Sequence, residues 1–225
     1  MKTRYSAWLV LILVATLSEG GRTVNEAKSS PTNVMQLPAP MRKGQMSLEE
    51  ALARRHSVRE FTRESLTDRE LSQLLWAAQG VTDAEGRRTA PSAGALYPLE
   101  VYVATASGFY HYEPHGHRMA RTSDRDLRRA IHRAALLQDP ILQAPAVFVI
   151  AAVYERTSRK YGEARTPRYV HIEAGHAAQN LLLEAVALGL GGVPVGAFND
   201  GEVQKALSLP ADHRPLYLIP VGHPR

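Results

Sequence analysis

The chain of 225 residues contains no cysteine. This absence excludes disulfides, thiolate metal sites, a cysteine nucleophile and a lipoprotein anchor. The chain also has little excess charge, because its net charge is only +5 and the basic residues are spread along the sequence. A small and dispersed charge argues against a dedicated nucleic-acid-binding protein.

The rest of the composition is that of an ordinary globular protein. Hydrophobic residues make up 44% of the chain and charged residues 22%. These shares are typical of a folded domain and not of a disordered tail. A chain of this length buries roughly 70% of its unfolded surface, so it forms a core without disulfides or structural metals.

The first residues have the layout of a secretory signal peptide. Lys2 and Arg4 precede an apolar run over residues 7–17, and small and polar residues follow up to Gly21. This run is too short to span a bilayer, which needs about 20 residues. We therefore predict a signal peptide over residues 1–18, export to the periplasm or beyond, and no stable membrane span after its removal. The alternative is an uncleaved N-terminal membrane anchor.

The next segment, residues 19–44, contains Gly, Ser, Pro and Asn with scattered charge and no apolar period. This composition predicts a flexible linker. We expect one folded domain over residues 45–225, beginning near Gln45.

Helical and strand patterns alternate through that domain without a strict repeat. Helices are predicted from Ser47 to Arg54, from Thr67 to Gln79, from Asp124 to Leu137, from Tyr169 to Leu188 and after Asp200. Strands are predicted over residues 99–105, 109–112, 117–121, 146–153, 193–197 and 215–221. The mixture predicts an α+β fold in which helices cover a sheet.

Two basic segments have the composition of a phosphate site. Residues 54–61 contain three arginines and a serine at a predicted helix end, and the chain ends on Arg225 after a predicted strand. Arginine binds phosphate as a bidentate donor, and serine adds a short hydroxyl donor. The alternatives are a solvated helix end and an exposed terminus.

Two segments of small residues are suited to a flat ligand. Residues 91–98 precede a predicted strand, and the glycine-rich residues 189–196 follow the longest helix. Small residues allow backbone amides to approach a ligand closely. The second segment has neither the spacing of a Rossmann fingerprint nor the lysine of a P-loop. Both segments have a simpler interpretation, as a loop and as a helix stop followed by a turn.

Metal and serine-hydrolase chemistry find little support in the sequence. His171 and His176 are five residues apart on a helix, so their side chains point in different directions and form no zinc pair. Ser57 and Ser92 lack the strand–turn–helix context of a nucleophilic serine. We expect no metal site.

The order and spacing of these segments resemble the nitroreductase superfamily, and more narrowly the SagB/ThcOx-type flavin dehydrogenases. The matching stretches are RRHSVREF (54–61), APSAGALYPLEVYV (90–103), KYG (160–162), RYVHIEAGHAAQNLLLEAVALGLGGVPVGAF (168–198) and PLYLIPVGHP (215–224). The resemblance covers about residues 46–225. It implies an α+β sandwich with a mostly antiparallel central sheet flanked by helices, and a homodimer with two FMN molecules at its interface.

The resemblance also implies roles for particular residues. The FMN phosphate would be bound by Arg55, His56, Ser57, Arg59 and Arg225. The flavin would be lined by Ser92, Ala93 and Gly94, and its ring by Val193, Pro194 and Gly196. FMN rather than FAD follows from the resemblance alone.

In the azoline-oxidising members of the family an adjacent Lys-Tyr pair is implicated in catalysis, and Lys160-Tyr161 matches it. A desolvated lysine can accept the proton that leaves carbon while hydride passes to flavin. The alternative is a loop lysine beside a packing tyrosine. We predict an FMN-dependent oxidoreductase that transfers hydride between flavin and a small organic or peptide-derived heterocyclic substrate. The alternatives are an NAD(P)H-dependent nitroreductase or quinone reductase, and a non-catalytic flavin-binding protein.

Overall fold

The computed structural model describes residues 34–225. The predicted signal peptide and residues 19–33 of the predicted linker lie outside the described residues. In the described part, seven strands form one sheet in the order β1-β4-β3-β2-β5-β7-β6, and every ladder between neighbouring strands is antiparallel. The strands are β1 (Val34–Gln36), β2 (Leu99–Thr105), β3 (Gly108–Glu113), β4 (Arg118–Ser123), β5 (Ala146–Ala152), β6 (Gly191–Gly192) and β7 (Arg214–Gly222).

Seven helices accompany this sheet in residues 34–225. They are α1 (Leu48–Arg54), α2 (Asp68–Gln79), α3 (Arg128–Ala134), α4 (Asp139–Gln143), α5 (Tyr154–Tyr161), α6 (Thr166–Ala187) and α7 (Asp200–Ala206). A single 3₁₀ turn over Ala93–Ala95 precedes β2.

The central strand β5 is buried along its whole length, and its side chains feed two separate cores. Phe148 and Ile150 point to one face of the sheet and pack with residues of α2 and α6. Val147 and Val149 point to the other face and pack with residues of α3, α4 and α7. Because successive side chains of a strand alternate between faces, a fully apolar strand requires helices on both sides. The α+β fold, with an antiparallel sheet flanked by helices, is confirmed.

Local signals in the sequence account for several helix starts and strand limits. Thr67 and Glu70 form a complete capping box at the start of α2, and Ser47 accepts a hydrogen bond from the Glu50 amide at the start of α1. Strand β2 has the predicted limits. These predictions are confirmed because each depends on residues that lie close together in the chain.

The predicted start of the fold at Gln45 is wrong. Met35 in β1 pairs with Met119 in β4, so the sheet already includes residues 34–36. Leu37 is buried in the core, and the Met41 amide donates to the Gln73 side chain at 2.8 Å. The segment itself shows no apolar period. Pairing with β4 and the hydrogen bond to α2 hold it in place.

Three other local predictions also need correction. The helix expected from Asp124 begins at Arg128, whose amide donates to the Asp126 carboxylate at 3.0 Å. The strand expected over 193–197 is absent except for an isolated bridge between Val195 and Leu218, and the short strand β6 precedes it. Lys160 lies in helix α5, whereas the alternative to a catalytic role placed it in a loop. Within residues 34–225, no helix is long and apolar enough to cross a membrane.

Candidate functional site

The predicted Lys-Tyr pair lies directly over the glycine of the predicted flavin-lining segment. Lys160 and Tyr161 form the last turn of α5. A Cβ atom placed on Gly94 would lie 2.9 Å from Lys160 Nζ and 3.0 Å from Tyr161 Oη. Real Cβ contacts are longer than this, so only glycine fits beneath the two polar side-chain ends in this arrangement. The structure therefore brings residues 92–94, Lys160 and Tyr161 into one cluster, which we call the Gly94 end.

The turn that carries Gly94 has an unusual backbone. Gly94, Ala95 and Tyr97 have φ angles of 63°, 54° and 46°. The left-handed region suits glycine, but it costs a residue with a side chain about 1–3 kcal/mol, and such residues cluster at functional sites. Two strained residues next to the Lys160–Tyr161 pair make this turn a candidate functional site.

Ser92 holds the strained turn together. Its Oγ accepts a hydrogen bond from the Tyr97 amide at 2.9 Å, and its carbonyl oxygen accepts one from the Ala95 amide at 3.1 Å. These two hydrogen bonds close the turn over residues 92–97.

Glu173 was not identified as a site residue in the sequence, although it lies within a matching stretch. Its side chain is only 2% exposed, and burial raises its pKa to about 7 against the hydrogen bond from Ser92 and the charge of Arg88. The signal was present: Glu173 interrupts the buried apolar stripe of α6 between Val170 and Ala177. A buried acid at such a position ordinarily needs a hydrogen-bond partner, and its Oε1 atom has none among residues 34–225.

A polar layer supports the turn from the other side. The Arg88 guanidinium lies 4.5 Å from the centroid of the Tyr97 ring, and Arg156 donates to the Tyr97 carbonyl at 3.0 Å. Arg156 also pairs with Glu100, which accepts a hydrogen bond from His111. Burial alone would raise the pKa of Glu100, but His111 and Arg156 outweigh it and hold that pKa below its ordinary value.

Three of the four predicted segments meet at another place, which we call the phosphate end. The Val58 amide donates to the Gly192 carbonyl at 3.1 Å, and Ser57 forms a bridge with the same glycine. The Thr62 amide donates to the His223 carbonyl at 2.9 Å. Residues 54–61, the glycine-rich turn and the chain end therefore run side by side.

Three arginines of the phosphate end have no carboxylate partner among residues 34–225, whereas Arg54 pairs with Glu50. Arg55 is partly exposed, whereas Arg59 and Arg225 are exposed, and none of the three forms an ion pair there. His56 is exposed, and its Nδ1 lies 2.9 Å from the Arg54 carbonyl oxygen. The phosphate end thus offers unpaired guanidinium groups to an anion.

Arg225 lies farther along this segment than the resemblance implied. Its amide donates to the Glu60 carbonyl at 3.2 Å, so its main chain adjoins Glu60 rather than Arg55. Its side chain lines a cavity of about 500 Å³ together with Arg63 and Arg128, and Arg55 is not part of that lining.

The three residues predicted along the flavin ring differ in what they offer. The Val193 side chain is buried in the second core, and its amide donates to the Pro220 carbonyl at 3.2 Å. Pro194 and Gly196 are exposed. Pro194 and Gly196 are therefore accessible to a ring, whereas Val193 offers only its carbonyl group.

The two ends of the site lie at opposite ends of β5. Ala152 pairs with Leu99, just after the Gly94 turn, and α5 with Lys160 follows the same end. Ala146 pairs with Val221, next to the phosphate end. Seven strand residues at about 3.4 Å per residue separate the ends by roughly 20 Å along the strand. Among the described residues no group of three or more His, Asp or Glu side chains is arranged to hold a metal ion.

Comparison with known proteins identifies the family of the chain. The family model described as "Nitroreductase family" matches residues 52–223. The chain belongs to the nitroreductase family. Members of this family are oxidoreductases, so the broad class of the predicted activity is confirmed.

Three relatives show how far the similarity extends. "Putative nitroreductase MJ1384" of Methanocaldococcus jannaschii is 49% identical over 184 residues, which cover 79% of this chain and 91% of that protein. A crystal structure of "a putative nitroreductase" from Ralstonia eutropha JMP134 has 33% identity and a TM-score of 0.79, and the match covers 85% of this chain and 90% of that one. "Trifolitoxin-processing protein TfxB" of Rhizobium leguminosarum bv. trifolii is 31% identical over 116 residues, 46% of this chain and 31% of that protein.

Proposed function

We propose that the chain is an FMN-dependent dehydrogenase of the SagB type that acts as a homodimer with two shared sites. The observation that carries the proposal is the convergence of Lys160 Nζ and Tyr161 Oη on the strained turn at Gly94. A lysine and a tyrosine held over a glycine provide proton-transfer and hydrogen-bonding groups beside a surface that a flat ring can approach closely.

The phosphate end fits the phosphate group of FMN. Arg55 and Arg59 have no ion pair among residues 34–225, and Ser57 is only partly buried. Guanidinium groups without a carboxylate partner are suited to bidentate bonds with phosphate oxygens. Exposed Pro194 and Gly196 lie on the segment that continues from this end along β7, so the same chain would support the ring.

A homodimer would explain how the Gly94 end and the phosphate end, which are far apart in one chain, can bind the same FMN. If the Gly94 end of one chain faced the phosphate end of its partner, one FMN would contact both chains, as the family resemblance implies. Exposed apolar side chains are available for such an interface: Leu48 and Leu52 on α1 are 62% and 53% exposed, and Ile172 on α6 is 51% exposed. Exposed large apolar side chains are typical of subunit contacts.

Bound FMN would supply the hydride chemistry, which no side chain of this protein can perform. Lys160 would accept or return a proton at the substrate atom next to the transferred hydride. Tyr161 would orient the substrate through its hydroxyl group, and its ring would hold the Lys160 ammonium, which lies 5.7 Å from the ring centroid. The strained turn would fix both groups relative to the ring.

Two relatives of the chain support different substrate classes. A relative whose name says that it processes trifolitoxin matches nearly half of this chain and supports a peptide-derived heterocycle. The 49% identical relative is named as a nitroreductase and supports NAD(P)H-dependent reduction of nitro compounds as the second candidate. The Lys160–Tyr161 pair favours the first, because nitro reduction needs no side-chain base at a substrate carbon.

The first experiment is to purify the full-length protein, record its visible spectrum, and identify any released cofactor by mass spectrometry. We expect a yellow protein that releases FMN. A colourless protein that also fails to take up added FMN would contradict the proposal.

The second experiment separates the two candidates. The bound flavin is mixed under anaerobic conditions with NADPH or with thiazoline-containing peptides, and its bleaching is followed. Lys160→Ala should slow bleaching by the peptide 10²–10⁴-fold, the usual contribution of a general base. Lys205→Ala removes an exposed lysine on α7 and serves as the matched control. Rapid bleaching by NADPH alone, unaffected by Lys160→Ala, would favour the nitroreductase candidate.

We also propose that residues 1–18 direct export, on the basis of the basic start and the short apolar run. N-terminal sequencing of the protein from its native cell tests this. A start after residue 18 supports export, and an intact Met1 in the soluble cytoplasmic fraction contradicts it.

A further inference from the structure

Helix α5 contacts the turn over residues 92–97 at two points, and the proposed function uses only one of them. At the end of the helix, Lys160 Nζ and Tyr161 Oη lie over Gly94. One helical turn earlier, Arg156 Nη1 donates to the Tyr97 carbonyl at 3.0 Å. Arg156 and Lys160 are four residues apart, so they share a face of the helix and lie about 6 Å apart along its axis. The second contact therefore lies beside the first.

Arg156 is held in this position through its other terminal nitrogen. Its Nη2 atom forms an ion pair with Glu100 of β2. The Glu100 side chain is only 11% exposed, and its second oxygen accepts a hydrogen bond from Nε2 of His111 on β3 at 2.6 Å. A guanidinium group is planar and carries its donors in a fixed fork, so holding one nitrogen also fixes the direction of the other. Glu100 and His111 thus determine where Arg156 meets the turn.

His111 is itself held by the sheet. It pairs with Tyr102 in the ladder between β2 and β3, and the centroids of the two rings are 4.5 Å apart. Tyr102 Oη lies 2.6 Å from Nδ1 of His213, which directly precedes β7. Hydrogen bonds and ring contacts therefore lead from the sheet through Glu100 and Arg156 to the turn.

The residue that Arg156 contacts is one that needs support. Tyr97 has a φ angle of 46°, and such a conformation persists only where the surrounding structure holds it. The Arg88 guanidinium lies over the Tyr97 ring, and Arg156 bonds the carbonyl of the same residue. Loss of the Arg156 side chain would deprive the carbonyl of this donor and Glu100 of its ion-pair partner.

We propose that Arg156 is a positioning residue, which sets the distance between α5 and the turn and thereby places Lys160 and Tyr161 over the glycine. Glu100, with the sheet behind it, supports Arg156 in this role. The inference deepens the proposed function and rests on it for the role of the lysine. Arg156 acts through the helix and the turn, so the role requires no contact between its guanidinium group and the flavin or the substrate.

Fluorine nuclear magnetic resonance of the full-length protein labelled with 3-fluorotyrosine reports this placement with or without flavin. The signal of Tyr161 is identified by its loss in Tyr161→Phe. We expect Arg156→Ala to shift or broaden that signal. The Arg156 side chain is 39% exposed and lines a cavity of about 350 Å³, so a small cation can reach its position. Guanidinium chloride, far below the concentration that unfolds proteins, should restore the signal, and an equal concentration of ammonium chloride should not.

The FMN-loaded protein provides the matching kinetic measurement. In anaerobic bleaching of the flavin by the thiazoline-containing peptide, Arg156→Ala should lower the limiting rate roughly 10²-fold, because small misplacements of catalytic groups are costly. The half-saturating peptide concentration should not change, since substrate binding is retained. Guanidinium should restore the rate as well. Glu100→Gln should change the rate and the Tyr161 signal in the same direction but by less, because its amide oxygen still accepts from Arg156 as a neutral group.

Arg159→Ala is the matched control. Arg159 lies on the same helix, closer in sequence to Tyr161 than Arg156 is. Its side chain is 73% exposed and pairs with Glu155 of the same helix. This variant should leave the Tyr161 signal and the bleaching rate unchanged.

Each outcome decides a separate point. A Tyr161 signal that is unchanged in Arg156→Ala, or that guanidinium does not restore, would overturn the role of Arg156. An equal change in Arg159→Ala would do the same. Should Arg156→Ala fail to fold, an unchanged signal in Glu100→Gln would overturn the role equally. Failure of the wild-type protein to take up FMN would instead contradict the proposed function, and the fluorine signal would then decide the placement by Arg156 alone.

Discussion

The two ends of the candidate site are built in opposite ways. At the phosphate end, extended main chains run side by side and present Arg55, Arg59 and Arg225, which have no ion-pair partner among residues 34–225. At the Gly94 end, a strained turn is held by a serine and by a layer of paired charges. The first arrangement suits a ligand that brings its own negative charge. The second fixes the position of a few atoms, which is what a reacting centre requires.

The largest expected effect concerns Glu173, the buried acid of α6. The pKa of Glu173 is about 7 in the folded protein and 4.5 ordinarily, so above pH 4.5 the unfolded chain releases a proton that the folded chain retains. Stability should therefore fall as pH rises from 4.5 to 7, by about 3 kcal/mol at about 1.4 kcal/mol per pKa unit. Glu173→Gln should lose this dependence in urea unfolding at fixed protein concentration. An identical pH dependence in wild type and variant would show that burial does not raise the pKa of Glu173.

The next effect concerns the glycine itself. Gly94→Ala places a Cβ atom against Lys160 Nζ and Tyr161 Oη, at a φ angle of 63°. The side-chain ends can move aside, so we expect a stability loss of only about 1–2 kcal/mol from the left-handed conformation. Turnover should fall roughly 10²-fold, because small misplacements of catalytic groups are costly. Gly162→Ala, at φ 74° with nothing near its Cβ position, controls for backbone strain alone.

A smaller effect is expected at the phosphate end. Arg55→Ala should weaken FMN binding by about 1.5–3 kcal/mol, the scale of a hydrogen bond to a charged group. Equilibrium titration with FMN measures it, and Arg129→Ala, an exposed arginine on α3, provides the control. Equal affinity in Arg55→Ala and wild type would remove Arg55 from the site. If Arg55→Ala changes the affinity for FMN but not the pH dependence of stability, the contrast between the two ends of the site becomes sharper.

The smallest effect lies outside both ends. Thr67→Ala removes the capping box of α2, which carries none of the predicted site residues. It should lower the free energy of unfolding by about 1 kcal/mol and leave FMN affinity unchanged. A change in FMN affinity in this variant would mean that the contrast between the two ends reflects overall stability.

The sequence predicts the elements correctly where neighbouring residues determine the local structure. Thr67 and Glu70 lie three residues apart, and the alternation in residues 99–105 reports the packing of β2 directly. The sequence does not predict an element whose structure depends on a partner elsewhere in the chain. Residues 34–36 become a strand only because β4 is there to pair with them. Helix α5 has a single buried residue, Thr157, so its polar sequence shows no apolar stripe.

The same distinction applies to the site. Lys160-Tyr161 and residues 92–94 were found through family resemblance, and the structure places them in contact. The polar support of the turn is not visible in the sequence, because Arg156 lies 59 residues from Tyr97, whose carbonyl accepts its hydrogen bond. The separation of the two ends also required the strand register, since it depends on which residues pair with Ala146 and Ala152.

The most direct test of the central claim is the FMN content of a mixed dimer. One chain carries Arg55→Glu, which repels the phosphate, and the other carries Gly94→Trp, which fills the space beneath Lys160; two different tags allow purification of the mixed species. Each variant alone should fold and retain no FMN. If each site combines the phosphate end of one chain with the Gly94 end of the other, the mixed dimer contains one intact site and binds one FMN. A mixed dimer that binds none would show that both ends of each site belong to the same chain, or that no such site exists.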